Sequence, residues 1–234
     1  MIAITFALPA ESSDFVRRLA RKNVRLQGQW KIIAGRLGPH DVEIVHTGVG
    51  AKVCEARLSD YLKTTSPAWL ISSGFAGAAR SNYRVGDLVL AENYSDIEIL
   101  DRARHLLRQQ NTHAAKIFTA PAMVDSPAER EEIWHRHEAV AIDMETETIA
   151  RVCAERRLRM LSLRVLSDTP RHPFPLPSDI LFDLERQRTP TGALLRHLLA
   201  HPGAIPRLLR FSRQIGRARR ALTDALIHLL QSDF

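Results

Sequence analysis

Short apolar runs rich in branched residues alternate with amphipathic stretches through the first two-thirds of this chain, and that alternation limits the fold more than any other feature. Ile2–Leu8 is such a run and suits a strand buried on both faces. Pro9 and Glu11 then open an amphipathic helix to about Lys22, with Phe15, Val16 and Leu19 on its apolar side. Strands are expected at Trp30–Ala34 and Val42–Thr47 around the Gly38-Pro39 turn, then a helix over Ala51–Leu62 and a strand over Ala68–Ser73. Further strands fall at Val85–Ala91, Lys116–Thr119, Ala139–Asp143 and Arg159–Leu166, with helices over Ile99–Gln109, Ala128–His137 and Glu145–Arg156. This order implies an α/β domain of three layers, α/β/α, around a largely parallel, mixed central sheet.

Three prolines within His172–Pro177 end the pattern. Beyond them only helices are expected, over Ser178–Arg188, Thr191–Ala200, Ile205–Arg219 and Ala221–Leu230. The chain thus reads as a domain over residues 1–177 and an arginine-rich helical extension over 178–234. Between Arg186 and Arg220 there are nine arginines and no acid; removing nine from the net charge of +7 leaves −2 for the rest. A basic tail on a near-neutral body argues against nucleic acid as a partner of the main domain. No apolar run approaches the roughly 20 residues that cross a bilayer, and the N-terminus lacks the basic region of a signal peptide. Cys54 and Cys153 form neither a disulfide framework nor a metal-ligand spacing. A cytoplasmic protein is expected.

Ligands of open α/β sheets bind where strands end. Glu11 follows the first strand; other strands run into Ser72-Ser73-Gly74-Phe75-Ala76-Gly77, Asp143-Met144-Glu145 and Ser167-Asp168. Carboxylates gathered at such a cleft can move protons or stabilise a developing cation. Gly48-Val49-Gly50 starts like a dinucleotide-binding fingerprint, but Val53 stands where the third glycine belongs, which weighs against an oxidoreductase. The ten histidines show no ligand spacing, and His135 and His137 read as a solvated helix end. Neither a metal nor a cofactor is expected.

Four segments carry a resemblance. Leu70–Leu90 (LISSGFAGAARSNYRVGDLVL), Ala141–Cys153 (AIDMETETIARVC), Leu163–Thr169 (LRVLSDT) and Ala7–Glu11 resemble, in order and spacing, motifs of the nucleoside phosphorylase/nucleosidase superfamily. The nearest branch is the methylthioadenosine/S-adenosylhomocysteine nucleosidases. The resemblance implies a phosphorylase/hydrolase-like fold, a homodimer, and cleavage of the N-glycosidic bond of a purine nucleoside without a cofactor. It implies that Asp168 faces the purine as the acid, that Glu145 binds the ribose hydroxyls, and that Glu11 activates water. Met144 would pack on sugar or base, Ala76 and Gly77 would line the base pocket, and Met123 and Val124 would cover the purine. Ser167 and Arg164 would support the acid from the last strand.

The chain also departs from the pattern. Phe75 replaces a small residue and reshapes the pocket, Asp143 shortens the usual glutamate, and Ala120-Pro121 interrupts the approach to the base cover. The phosphate loop of the phosphorylases is missing, which favours hydrolysis. The expected length of the tail exceeds that of ordinary nucleosidases and resembles the hopanoid-associated phosphorylases, which release adenine from adenosylhopane. That likeness implies a peripheral contact of the basic tail with a membrane surface; futalosine hydrolases are a further similar branch. The reading that competes from another class is a non-catalytic nucleoside-binding or membrane-associated module.

Overall fold

A computed structural model describes residues 1–28, 30–175 and 203–232, together with Gln187, Arg196, Ala200 and His201. It contains a nine-stranded mixed sheet with helices on both faces. The first strand, β1 (Ile2–Phe6), is wholly buried and lies parallel to β4 (His40–His46) and β5 (Leu70–Ala78). Outside β4, β3 (Trp30–Leu37) and the edge strand β2 (Ala20–Gln27) add in antiparallel fashion. The other half curls. From β5 the order runs through β8 (Ala139–Asp143), β7 (Thr112–Thr119) and β6 (Leu88–Ala91) to β9 (Met160–Asp168), and β9 pairs back onto β5.

Two departures from the expected elements have physical causes. The helix expected to reach Lys22 is α1 (Pro9–Arg18); the next residues form β2, whose solvent-facing charges mimic the polar side of a helix. Antiparallel pairing with β3, the next strand in the chain, makes that segment a strand. The two last helices are instead one, α6 (Ala204–Gln231), which runs unbroken through Arg220; Pro206 sits in its first turn, where a missing N–H costs nothing. The expected helices over 178–188 and 191–200, and the boundary at 177/178, lie outside the described residues.

The remaining helices are α2 (Ala51–Thr64), α3 (Ile97–Leu106), α4 (Pro127–His137) and α5 (Thr146–Glu155). Helices α1, α3 and α6 share one core with the sheet, through Phe15, Leu100 and Leu226 among others. On the opposite face α2 and α5 pack Leu58, Tyr61 and Val152 against β1 and β5. The second half of α6 buries Leu222, Leu226, Leu229 and Leu230, each fully buried leucine contributing about 1.5–3 kcal/mol. Arg219 pairs with Asp14 at 2.7 Å and fixes α6 across α1. Among the described residues no helix is long and apolar enough to cross a membrane.

Candidate active site

A cavity of about 460 Å³ opens where β1, β5, β8 and β9 end. Glu11, Asp168, Glu145, Met144, Phe75, Ala76, Gly77, Met123, Val124 and Ser167 all line it. Arg164 does not. It lies beneath the cavity floor, donating from Nε to Asp143 and from Nη2 to Ser72, both at 2.9 Å.

Glu11 is placed by the start of α1. Its Oε2 accepts the Leu8 N–H at 3.0 Å, the back-bond of an N-terminal cap, while Oε1 accepts the Phe75 N–H at 3.1 Å from β5. The side chain therefore staples α1 to the sheet. Gly74 beside it has φ of +152°, a conformation that L side chains rarely adopt, and a Cβ there would be in ordinary contact with both carboxylate oxygens at 3.4 Å. Burial raises the pKa of Glu11, opposed by these backbone donors and by Arg164.

Glu145 stands at the mouth of α5, and its Oε1 accepts the Gly50 N–H at 2.7 Å. Burial, with Asp143 and Glu11 nearby, pushes its pKa up to about 8. Asp143, shorter than the glutamate of the family pattern, also lines the cavity but is committed to an inward network. It accepts from the Thr146 backbone N–H and hydroxyl, capping α5, and from Thr119 and Arg164. The short side chain fits this inward network, and its charge near Glu145 adds to the rise of that group's pKa.

Asp168 owes its aim to an irregularity. Along β5 and β9, Ala76 pairs with Leu166 but Gly77 pairs with Asp168, so Ser167 is an extra residue on β9. A bulge of this kind bends the strand and redirects the side chains that follow. The Asp168 carboxylate then takes a hydrogen bond from Ser167 Oγ at 2.9 Å and from Arg130 Nη2 at 2.5 Å. Burial raises its pKa, and Arg130 opposes that rise.

Several lining residues escaped the sequence reading. Arg130 belongs to a segment, AEREE, that reads as a solvated helix start. Val49 and Gly50 contribute a wall and a backbone donor. Leu208, Phe211 and Ile215, with Phe174 edge-on to Phe211 at 5.5 Å, form an apolar side wall. Their spacing of three and four residues inside the arginine-rich tail was the available signal.

Beneath the floor, a niche of about 10 Å³ is enclosed by Glu11, Glu145, Arg164, Thr5 and Ser73. The hydroxyls of Thr5 and Ser73 are buried there and have no partner among the described residues. A niche of this size admits about one water molecule and offers it the two or more polar partners it needs. Among the described residues, no cluster of side chains suits a metal ion.

Comparison with known proteins agrees with this architecture. A curated relative, the 5′-methylthioadenosine/S-adenosylhomocysteine nucleosidase of Staphylococcus epidermidis, is 22% identical over 196 residues, 72% of this chain and 86% of that protein. The Streptococcus pneumoniae nucleosidase of the same name, solved with 8-aminoadenine, superposes with a TM-score of 0.75 at 20% identity over 99% of both chains. That of Neisseria meningitidis, in complex with methylthio-immucillin-A, gives 0.75 at 15% identity over 99% of this chain and 98% of that one. The phosphorylase superfamily model matches residues 1–109 and 92–200, and the chain belongs to that superfamily.

Proposed function

We propose that this chain hydrolyses the N-glycosidic bond of an adenosyl nucleoside and releases adenine. The observation that carries the reading is the gathering of Glu11, Glu145 and Asp168 on one cavity of nucleoside size, with a water-sized niche between the first two. In the reaction the bond from the ribose anomeric carbon to the base breaks, and the electron pair leaves with the base. Asp168 supplies a proton or hydrogen bond to the departing ring. Glu145 holds the ribose hydroxyls, and the acids around the sugar stabilise the oxocarbenium-like transition state. Glu11 takes a proton from water as its oxygen bonds to the anomeric carbon. Relatives named for methylthioadenosine and S-adenosylhomocysteine support this substrate class.

The test is adenine release from methylthioadenosine, S-adenosylhomocysteine and adenosine, with and without inorganic phosphate. Release without phosphate is expected. Phosphate-dependent release would replace hydrolysis by phosphorolysis, and no release from any nucleoside would leave a binding module.

A second reading concerns the 5′ substituent. The inner face of α6 gives the cavity Leu208, Phe211 and Ile215, while Arg210, Arg213, Arg217 and Arg220 follow one another on its outer side and Ile205 and Leu209 are exposed. An apolar wall backed by a cationic stripe favours a substrate with an apolar 5′ group, such as adenosylhopane, met at an anionic bilayer surface. Co-sedimentation with vesicles of anionic or zwitterionic lipid, comparing the full chain with Arg213→Glu/Arg217→Glu, decides this; equal sedimentation removes the membrane from the proposal. A cytoplasmic homodimer stays part of the reading, and sedimentation velocity of the full chain tests its assembly.

A further inference from the structure

Arg130 is 2% exposed, and a guanidinium so far from water needs partners for its N–H groups. It finds them in three separate parts of the chain. Nε donates to the Val124 carbonyl at 3.0 Å, in the loop expected to cover the base. Nη1 donates to the Ala78 carbonyl at 3.0 Å, at the end of β5. Nη2 donates to Asp168 Oδ2 at 2.5 Å. The pair passes so close to Gly77 that a Cβ there would lie 3.0 Å from Asp168 Oδ2 and 3.1 Å from Arg130 Nη1. A side chain at that position would press on both members of the pair and require them to give by a few tenths of an ångström.

The other buried arginine, Arg164, is committed to Asp143 and Ser72. Among the described residues, Arg130 alone makes an ion pair with Asp168. With Ser167 on Oδ1 and Arg130 on Oδ2, each carboxylate oxygen has one protein donor, and the plane of the group is fixed from both sides.

We propose that Arg130 is the positioning residue of the base-side acid: it orients the Asp168 carboxyl and sets the pH at which that group loses its proton. A bound cation favours the carboxylate, so Arg130 offsets the burial that raises the Asp168 pKa. Asp125, in the loop entering α4, acts in the opposite sense; Glu11, Asp143 and Glu145 face the same cavity, with Arg164 beneath it. Because α4 carries Arg130 and the preceding loop carries Val124, the base cover and the acid are tied through one side chain. The catalytic consequence rests on the hydrolase reading, whereas the titration of Asp168 does not.

The experiment is a carboxyl ¹³C NMR titration of the full chain, with the Asp168 signal assigned by Asp168→Asn, comparing wild type, Arg130→Gln and Arg130→Lys. Loss of the cation is expected to raise the Asp168 midpoint by about 1–3 pH units in Arg130→Gln, and lysine is expected to recover most of that shift. In adenine-release assays the basic limb of kcat/KM moves to higher pH in Arg130→Gln. Arg130→Lys keeps the wild-type limb but loses roughly tenfold in kcat, because an ammonium lacks the planar fork. An unmoved midpoint in a folded Arg130→Gln protein overturns the proposal. So does a lysine variant equal to wild type in both readouts, which would remove the orienting role. If Arg130→Gln does not fold, Arg130→Lys decides alone: an Asp168 midpoint raised as far as loss of the cation predicts overturns the proposal. A wild-type chain that releases no base sinks the hydrolase reading, while the titration still decides this one.

Discussion

At one end of the cavity Asp168 is held by two side chains, Ser167 and Arg130, whereas at the other Glu11 and Glu145 are held by backbone N–H groups from Leu8, Phe75 and Gly50. All three acids are buried, and burial pushes each towards its neutral form. Among the described residues, only Asp168 of the three has a cation directly on it. At the Glu11–Glu145 end, backbone amides supply partial charge alone, and Arg164 acts across Asp143. Two buried acids short of positive charge make a place where a developing cation is welcome, as in a sugar losing its base. The Asp168 end is instead poised to exchange a proton with a leaving group.

Substitution at the base end should have the largest effect. Asp168→Asn keeps the shape, removes the proton and faces Arg130 with an amide in place of a carboxylate. A loss of about 10³-fold in kcat is expected, measured as adenine release under saturating nucleoside. Less than a tenfold loss would show that the base departs unassisted and would erase the contrast between the two ends.

Glu11→Gln comes next. The amide oxygen can still accept one backbone N–H, but the side chain no longer takes a proton from water. A loss of about 10²-fold in kcat is expected, with affinity for free adenine, read by calorimetry, unchanged within error. A weakened adenine affinity of similar size would move Glu11 to the base end.

Glu145 sharpens the comparison through stability. Its pKa rises on folding, from about 4.3 in an unfolded chain to about 8. Between those values the folded protein binds a proton that the unfolded one has released, so this group's contribution is full at low pH and is lost as pH rises through 8. Melting temperature should therefore fall between pH 5 and pH 9, and Glu145→Gln should flatten that fall. Parallel curves for the two proteins would mean that Glu145 is ionised in the folded state. In the reaction the same variant is expected to raise KM roughly tenfold, the size of a lost hydrogen bond to a ribose hydroxyl.

The contrast also explains what the sequence disclosed. Donors from the backbone travel with strand ends and glycines, so Gly74 and Asp143-Met144-Glu145 mark their places in the chain whatever surrounds them, and Ser167-Asp168 is marked by closing the last strand. Arg130 travels with nothing. Its role follows from α4 lying over the end of β5, a contact with no local signature, and its acidic neighbours disguise it as a surface residue. Strand β2 was hidden for a different reason: its eight mostly polar residues pair with the adjacent strand β3, and their charges read like the polar side of a helix. The central strands were legible because burial on both faces leaves an apolar run that no solvated element shares. In the tail, arginine abundance masked the apolar spacing of Leu208, Phe211 and Ile215.

That side wall supplies the smallest expected effect. One turn beyond Ile215 the Arg219 guanidinium reaches Asp14 on α1, the helix that carries Glu11. Phe211→Ala removes the ring that meets Phe174 and opens the wall to water. For methylthioadenosine, whose 5′ group is apolar, KM is expected to rise roughly tenfold. For adenosine, whose 5′ hydroxyl gains little from an aromatic neighbour, the rise is expected to be several times smaller. The ratio of the two effects is the informative quantity, because a general loosening of α6 would raise both alike. Equal rises would place Phe211 away from the 5′ substituent and would transfer the apolar wall from substrate selection to the packing of the helix.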